Sequence, residues 1–228
     1  MSKQTPNQSL DLFGNYLCPS VVREITAWES HPELSKVFRA LQSQKNPQQF
    51  LDHYAEALLA RHFIKIGLQV KGIEVANPKG KRADLQIISD GIPIYIHLKR
   101  LNTDSRTQAS LDASVNPPFG FIKDRVRMIR LLKAAYEQFI PNALNVITMT
   151  SPWDGDVEDF EEALLGQGSR RPGFWNEGNT DSAYAVWFRF DLIRYTVRFQ
   201  LFFRDTVDMQ QKQFLERLFP DNSDHRVS

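Results

Sequence analysis

The sequence predicts an α+β fold built on a mixed sheet, and three stretches carry that expectation. Residues Asn46 to Gly67 place apolar side chains at helical spacing, and Leu68–Val75 alternates as a strand does. Ala83–Ser89 and Ile92–Lys99 read as the two arms of a hairpin. The arms meet at Asp90-Gly91, a dipeptide suited to a two-residue type I′ turn because both central residues need positive φ.

The remaining elements follow in order. Residues 1–20 are irregular up to Cys18-Pro19-Ser20, and Val21–Glu29 and Pro32–Leu41 are expected as short helices. Their apolar residues (Val22, Ile25 and Trp28, then Leu34, Val37, Phe38 and Leu41) recur every three or four positions. Pro32 is expected at the first helical position, where a missing N–H costs nothing. Residues 1–45 thus form a helical cover. Asn46-Pro47-Gln48-Gln49 starts the long helix with a capping Asn and an N-terminal Pro. Leu51, Tyr54, Ala55, Leu58, Leu59, Phe63 and Ile66 make its apolar stripe, and Gly67 stops it.

After the hairpin, residues 101–120 are a polar, proline-marked loop. Phe121–Phe139 is expected as an amphipathic helix with Ile122, Val126, Ile129, Leu132, Tyr136 and Ile140 inward. Pro141-Asn142 breaks it, and Asn145–Thr150 is the next strand, closing a core over residues 46–150. Residues 151–228 add a helix at Asp156–Leu165 and a basic, aromatic loop at 168–175. Strands at Ala183–Phe190 and Tyr195–Phe203, a closing helix at Val207–Phe219 and a polar tail complete the chain. With no repeat, long linker or low-complexity run, residues 1–228 are expected as a single domain.

The composition is that of a globular protein, with 42% hydrophobic and 24% charged residues in 228. No apolar run approaches the ~18–20 residues that span a bilayer, and the polar start lacks a secretory core, so no membrane partner and a cytoplasmic location are expected. Cys18 is the single cysteine, which excludes an internal disulfide and a cysteine-rich metal site. A net charge of +1 means that any contact with nucleic acid must come from local clustering. There is no phosphate-binding glycine loop, no Gly-x-Ser-x-Gly elbow and no pair of histidines one helical turn apart among His31, His53, His62, His97 and His225.

The hairpin is where chemistry gathers. Ser89 pairs with Ile92 across the turn, and counting back sets Asp84 opposite His97. Tyr95, His97 and Lys99 share one face. Asp84 and His97 would have Cβ atoms roughly 4.5–5.5 Å apart, with Lys99 the diagonal neighbour at roughly 7–8 Å. Glu56, on the flank of the preceding helix, can reach the sheet edge. Lys79, Lys81 and Arg82 precede Asp84 directly, and Lys123, Arg127 and Arg130 share one side of the later helix. Both groups are candidates for phosphate contact, the alternative being a solvated turn and a solvated helix face.

These residues, in this order of elements, resemble the PD-(D/E)xK nuclease superfamily, whose fold is restriction-endonuclease-like. The resemblance implies a core of a helix, three antiparallel strands, a helix and a further strand, and it covers about residues 46–150. Asp84 falls at the family's Asp position, Lys99 at its Lys and Glu56 at its helical Glu. Ala83-Asp84 replaces Pro-Asp, and His97-Leu98-Lys99 replaces acidic-x-Lys, which removes an acid that normally helps hold the metal. The resemblance implies a metal-dependent nuclease hydrolysing phosphodiesters, with Mg²⁺ or Mn²⁺ held by Asp84 and Glu56. The carbonyl after His97 would support that metal, and Lys99 would orient water or stabilise charge. His97 is itself a candidate ligand or catalytic group that tilts the choice toward Mn²⁺, or toward no metal. DNA is favoured over RNA as a partner, and a homodimer stays open. The alternative is a degenerate nuclease-fold protein that binds nucleic acid or assembles with a partner.

Overall fold

In the computed structural model the residues described are 19–32, 34–44, 47–72, 75–76, 80, 82–101, 121–151, 156–167, 172–179, 181–191 and 196–220. Helices α1 (Pro19–Ala27), continued by a 3₁₀ turn at Trp28–Ser30, and α2 (Ser35–Ser43) precede the long helix α3 (Pro47–Lys65). Pro32 lies outside α2, which begins three residues later. The His31 ring accepts from Leu34 N at 3.2 Å through Nδ1, so a side chain serves the helix start where the proline was expected to. At the end of α3, Gly67 N donates to Ile64 O and Leu68 N to Phe63 O. This is the paired Schellman pattern that a glycine just past a helix allows.

The chain then makes β1 (Gln69–Gly72), a small ribbon of β2 (Val75–Ala76) with β3 (Arg82–Ala83), and the hairpin β4 (Leu85–Ser89) and β5 (Ile92–Arg100). The strand expected over 68–75 is divided: β1 pairs with β4 through an irregular register between Val70 and Gly72, and Val75 belongs to the ribbon. The hairpin has the expected turn. Asp90 (φ 51°) and Gly91 (φ 79°) both take left-handed backbone, and Ser89 pairs with Ile92 down to Leu85 with Ile96. Helix α4 (Phe121–Tyr136), β6 (Leu144–Thr150), α5 (Asp156–Leu165), β7 (Tyr184–Asp191), β8 (Thr196–Phe203) and α6 (Met209–Leu218) follow.

Six strands form a mixed sheet in the order β1-β4-β5-β6-β7-β8. β1, β4 and β5 are antiparallel neighbours, β5, β6 and β7 run parallel, and β8 returns antiparallel. The alternation of each strand feeds two apolar clusters. Leu85, Ile87, Ile94, Ile96, Leu98, Val146 and Phe188 pack under α3 with the N-terminal helices and α6. Ile147, Met149, Ala185, Trp187 and Phe202 pack under α4 and α5. Arg61 pairs with Glu24, tying α1 to α3. The buried stripe of α4 is Met128, Leu132 and Ala135, whereas Val126, expected inward, is 45% exposed. Among the described residues no helix is long and apolar enough to cross a membrane.

A candidate active-site cleft at the end of the hairpin

Parallel strands leave their side chains and free backbone groups at their carboxyl ends, where the chain departs between helical layers. Here β5 ends at Arg100, and a cleft of ≈ 260 Å³ opens beside it, lined by Asp52, Glu56, Leu98, Lys99, Arg100 and Leu131. Three elements meet in it. α3 supplies Asp52 and Glu56, β5 supplies residues 98–100, and α4 supplies Leu131.

Asp84 sits at the bend between β3 and β4 rather than in the ladder. Its N–H donates to Ile96 O at 3.0 Å, and its carboxylate Oδ2 accepts from Leu98 N at 2.6 Å. That oxygen lies 3.7 Å from Lys99 Nζ, with the Asp84 and Lys99 side chains 22% and 16% exposed respectively. The expected diagonal pair is therefore present. Burial, opposed by Lys99 and reinforced by the Glu56 carboxylate, raises the Asp84 carboxyl from 3.8 to about 6. Glu56 is thus close enough to Asp84 for the two carboxylates to repel. Glu56 Oε2 also lies 3.2 Å from His53 Nδ1, one turn earlier.

His97 has partners of its own. Its ring stacks on Phe139 with centroids 5.1 Å apart, and Nε2 lies 3.0 Å from Asn145 Oδ1. The Asn145 amide is fixed by three backbone groups: Oδ1 accepts from Ile140 N, and Nδ2 donates to Ile140 O and Ala143 O. Because Oδ1 can only accept, His97 Nε2 must carry the proton. Nδ1 is then a bare lone pair, buried and without a hydrogen-bond partner among the described residues. Burial, opposed by Asn145 and assisted by Lys99, lowers the imidazole from 6.5 to about 4, so the ring is neutral near pH 7. The cross-strand pair counted between Asp84 and His97 does not form: the ladder stops at Leu85–Ile96, and the bend carries Asp84 toward Leu98 and Lys99.

No family model, curated protein or solved structure matches this chain.

The expected basic groups are placed only in part. Lys79 and Lys81 lie outside the described residues, and Lys123 is in α4 without a described side chain. Arg82 is exposed on β3. Arg127 precedes Leu131 of the cleft by one turn of α4, and Arg130 is exposed beside it. Sequence reasoning missed Asp52, His53 and Arg100. Asp52 and Glu56 stand four apart on one helix, which puts both on one face, and Arg100 follows Lys99; that spacing was the available signal.

Proposed function

We propose that the chain is a divalent-metal-dependent phosphodiesterase acting on nucleic acid, with DNA favoured over RNA. The observation that carries this reading is that Glu56 and Lys99, from a helix and a strand, line one cleft, with Asp84 at a bend beside it, 3.7 Å from Lys99 Nζ and within the field of the Glu56 carboxylate. Two carboxylates and the Leu98 main-chain carbonyl are hard oxygen donors, the class that suits Mg²⁺ or Mn²⁺. Among the described residues no group of three or more His, Cys, Asp or Glu side chains is arranged to hold a metal ion. Mg²⁺ fits such a sparse set, since it commonly takes one or two carboxylates and completes its shell with water and substrate phosphate. When bound, the cation would supply charge neutralisation at the phosphate and a more acidic water.

The chain's own residues supply the rest. Asp84 must be ionised to act as a ligand, and with its carboxyl raised to about 6 it is mostly carboxylate above neutral pH. In this reading Lys99, ion-paired with Asp84, holds the attacking water or the charge developing on the phosphate. Restriction-endonuclease-like architecture, with its order of helix, three strands, helix and strand, is part of the same reading and is supported by the order α3-β1-β4-β5-α4-β6.

Cleavage of single-stranded and duplex DNA and of RNA, assayed with Mg²⁺ and with Mn²⁺, tests the proposal. Wild type should cut at least one of them, Asp84→Ala should abolish cutting, and Lys99→Ala should remove most of it while metal binding persists. Activity should climb as pH rises through about 6, where Asp84 loses its proton. A wild type that neither cuts nor binds either metal would overturn the reading. The buried, neutral His97 favours a second reading, in which the fold binds nucleic acid without cutting it. Binding without cleavage in every metal condition would select that one.

A further inference from the structure

An ion pair with a buried arginine joins α3 to the end of the hairpin. Arg100, the last residue of β5, has a side chain only 4% exposed, and its Nε donates to Asp52 Oδ1 at 2.5 Å. Hiding a guanidinium forfeits much of its hydration, which a partly exposed carboxylate repays only in part. The pair's location suggests why it is there. Asp52 is one helical turn before Glu56, Arg100 follows Lys99 directly, and all four residues line the same cleft. Rotation of α3 about its axis would carry Glu56 away from Asp84. The buried face of Tyr54, Leu58 and Phe63 restrains that rotation, and an ion pair to β5 one turn from Glu56 adds a restraint on the cleft side.

We propose that Arg100 and Asp52 are positioning residues, a lock that sets the rotation of α3 so that the Glu56 carboxylate faces Asp84 and Lys99. This rests on the reading of the cleft as a metal-dependent site, because Glu56 is useful there as an oxygen donor. The lock acts through Glu56 and has no contact with substrate in its role. Outer partners that orient a ligand typically contribute about 10–100-fold to metal affinity, and a displacement of roughly 1 Å suffices for losses of that size.

The test combines Mn²⁺ titration calorimetry with crystal structures of the metal-free proteins. The variants are Asp52→Asn, Arg100→Met, Arg100→Lys, Glu56→Gln and Asp52→Asn/Glu56→Gln. Asp52→Asn keeps a side-chain oxygen that can accept from Arg100 Nε, which limits the cost of removing the charge opposite a buried guanidinium. Arg100→Lys keeps the charge and serves alone should Arg100→Met fail to fold. Asp52→Asn should weaken Mn²⁺ binding about 10–100-fold, with Arg100→Lys recovering part of the loss seen in Arg100→Met. In the Glu56→Gln background, Asp52→Asn should add nothing, because its effect passes through the side chain already removed. Wild-type Mn²⁺ affinity in Asp52→Asn, with only a lower melting temperature, would overturn the lock, as would losses that simply add. If wild type binds no Mn²⁺, the functional reading falls and the structures judge the lock alone. Glu56 displaced in metal-free Asp52→Asn upholds it, and Glu56 unmoved overturns it.

Discussion

Burial raises the Asp84 carboxyl to about 6 and lowers the His97 imidazole to about 4, so the two residues bend the stability curve in opposite directions. Asp84 binds its proton more tightly folded than unfolded. Its stabilising contribution is complete below 3.8 and is lost as pH rises through about 6, leaving a net cost at neutrality. His97 binds its proton less tightly folded, so its contribution is complete above 6.5 and is lost as pH falls toward about 4. Asp84→Asn should therefore stabilise the protein at pH 7, by up to about 2 kcal/mol after discounting the partner removed from Lys99. Urea unfolding should show that gain vanish at pH 4 and the variant lose stability steeply below pH 6.5, with the His97 limb exposed. A second substitution tests the ring's surroundings. Glu at position 97 would bring a carboxylate to Asn145 Oδ1, an acceptor, and to the Phe139 ring, neither of which can donate to it. His97→Glu should cost roughly 3 kcal/mol in urea unfolding. Unchanged stability would mean that the pocket opens to admit charge.

At the scale of elements, what could be read from sequence was local. The hairpin follows from Asp90-Gly91, the end of α3 from Gly67, and α5 from its bounded apolar pattern, each within a few residues. Helix α4 was legible as a helix and only partly in its rotation. Of the face expected inward, Leu132 is buried and Ile129 and Tyr136 pack against the same cluster, while Val126 is exposed; packing against Ile147, Met149 and α5 buries Met128 and Ala135 as well. The same limit hid the bend at Asp84, which the ribbon of β2 and β3 imposes from outside the hairpin. Two glycines separate local from packed constraints by experiment. Gly91→Ala meets open space and suffers only its left-handed backbone, so stability should fall by about 1 kcal/mol. At Gly173 the backbone is ordinary, but an added Cβ would overlap Gly166 N and Leu164 O, backbone atoms that cannot swing away. Gly173→Ala should cost roughly 3 kcal/mol or more, and urea midpoints should rank the two in that order.

Across the whole molecule, the polar pairs of β5 in and near the cleft include partners far apart in the chain. Arg100 reaches Asp52 and His97 reaches Asn145, each across 48 positions. Such pairs exist only once the sheet places β5 between β4 and β6, an order that strand-by-strand periodicity does not encode. Charge is likewise a matter of placement. A net charge of +1 spreads no general attraction for a polyanion, so phosphate binding requires cations near the cleft. Arg127, one turn from Leu131, and the neighbouring exposed Arg130 are the described cations of α4 that meet this condition. If they touch phosphates, Arg127→Glu/Arg130→Glu should weaken binding of DNA of any sequence and flatten its dependence on salt. Freeing two phosphates of a duplex from these arginines would reduce the slope of log K against log salt by about 1.8, and for a single strand by about 1.4. Fluorescence anisotropy with a labelled oligonucleotide across a salt series measures both the affinity and the slope. An unchanged slope would assign these arginines to the solvated surface and leave phosphate binding to cations elsewhere around the hairpin.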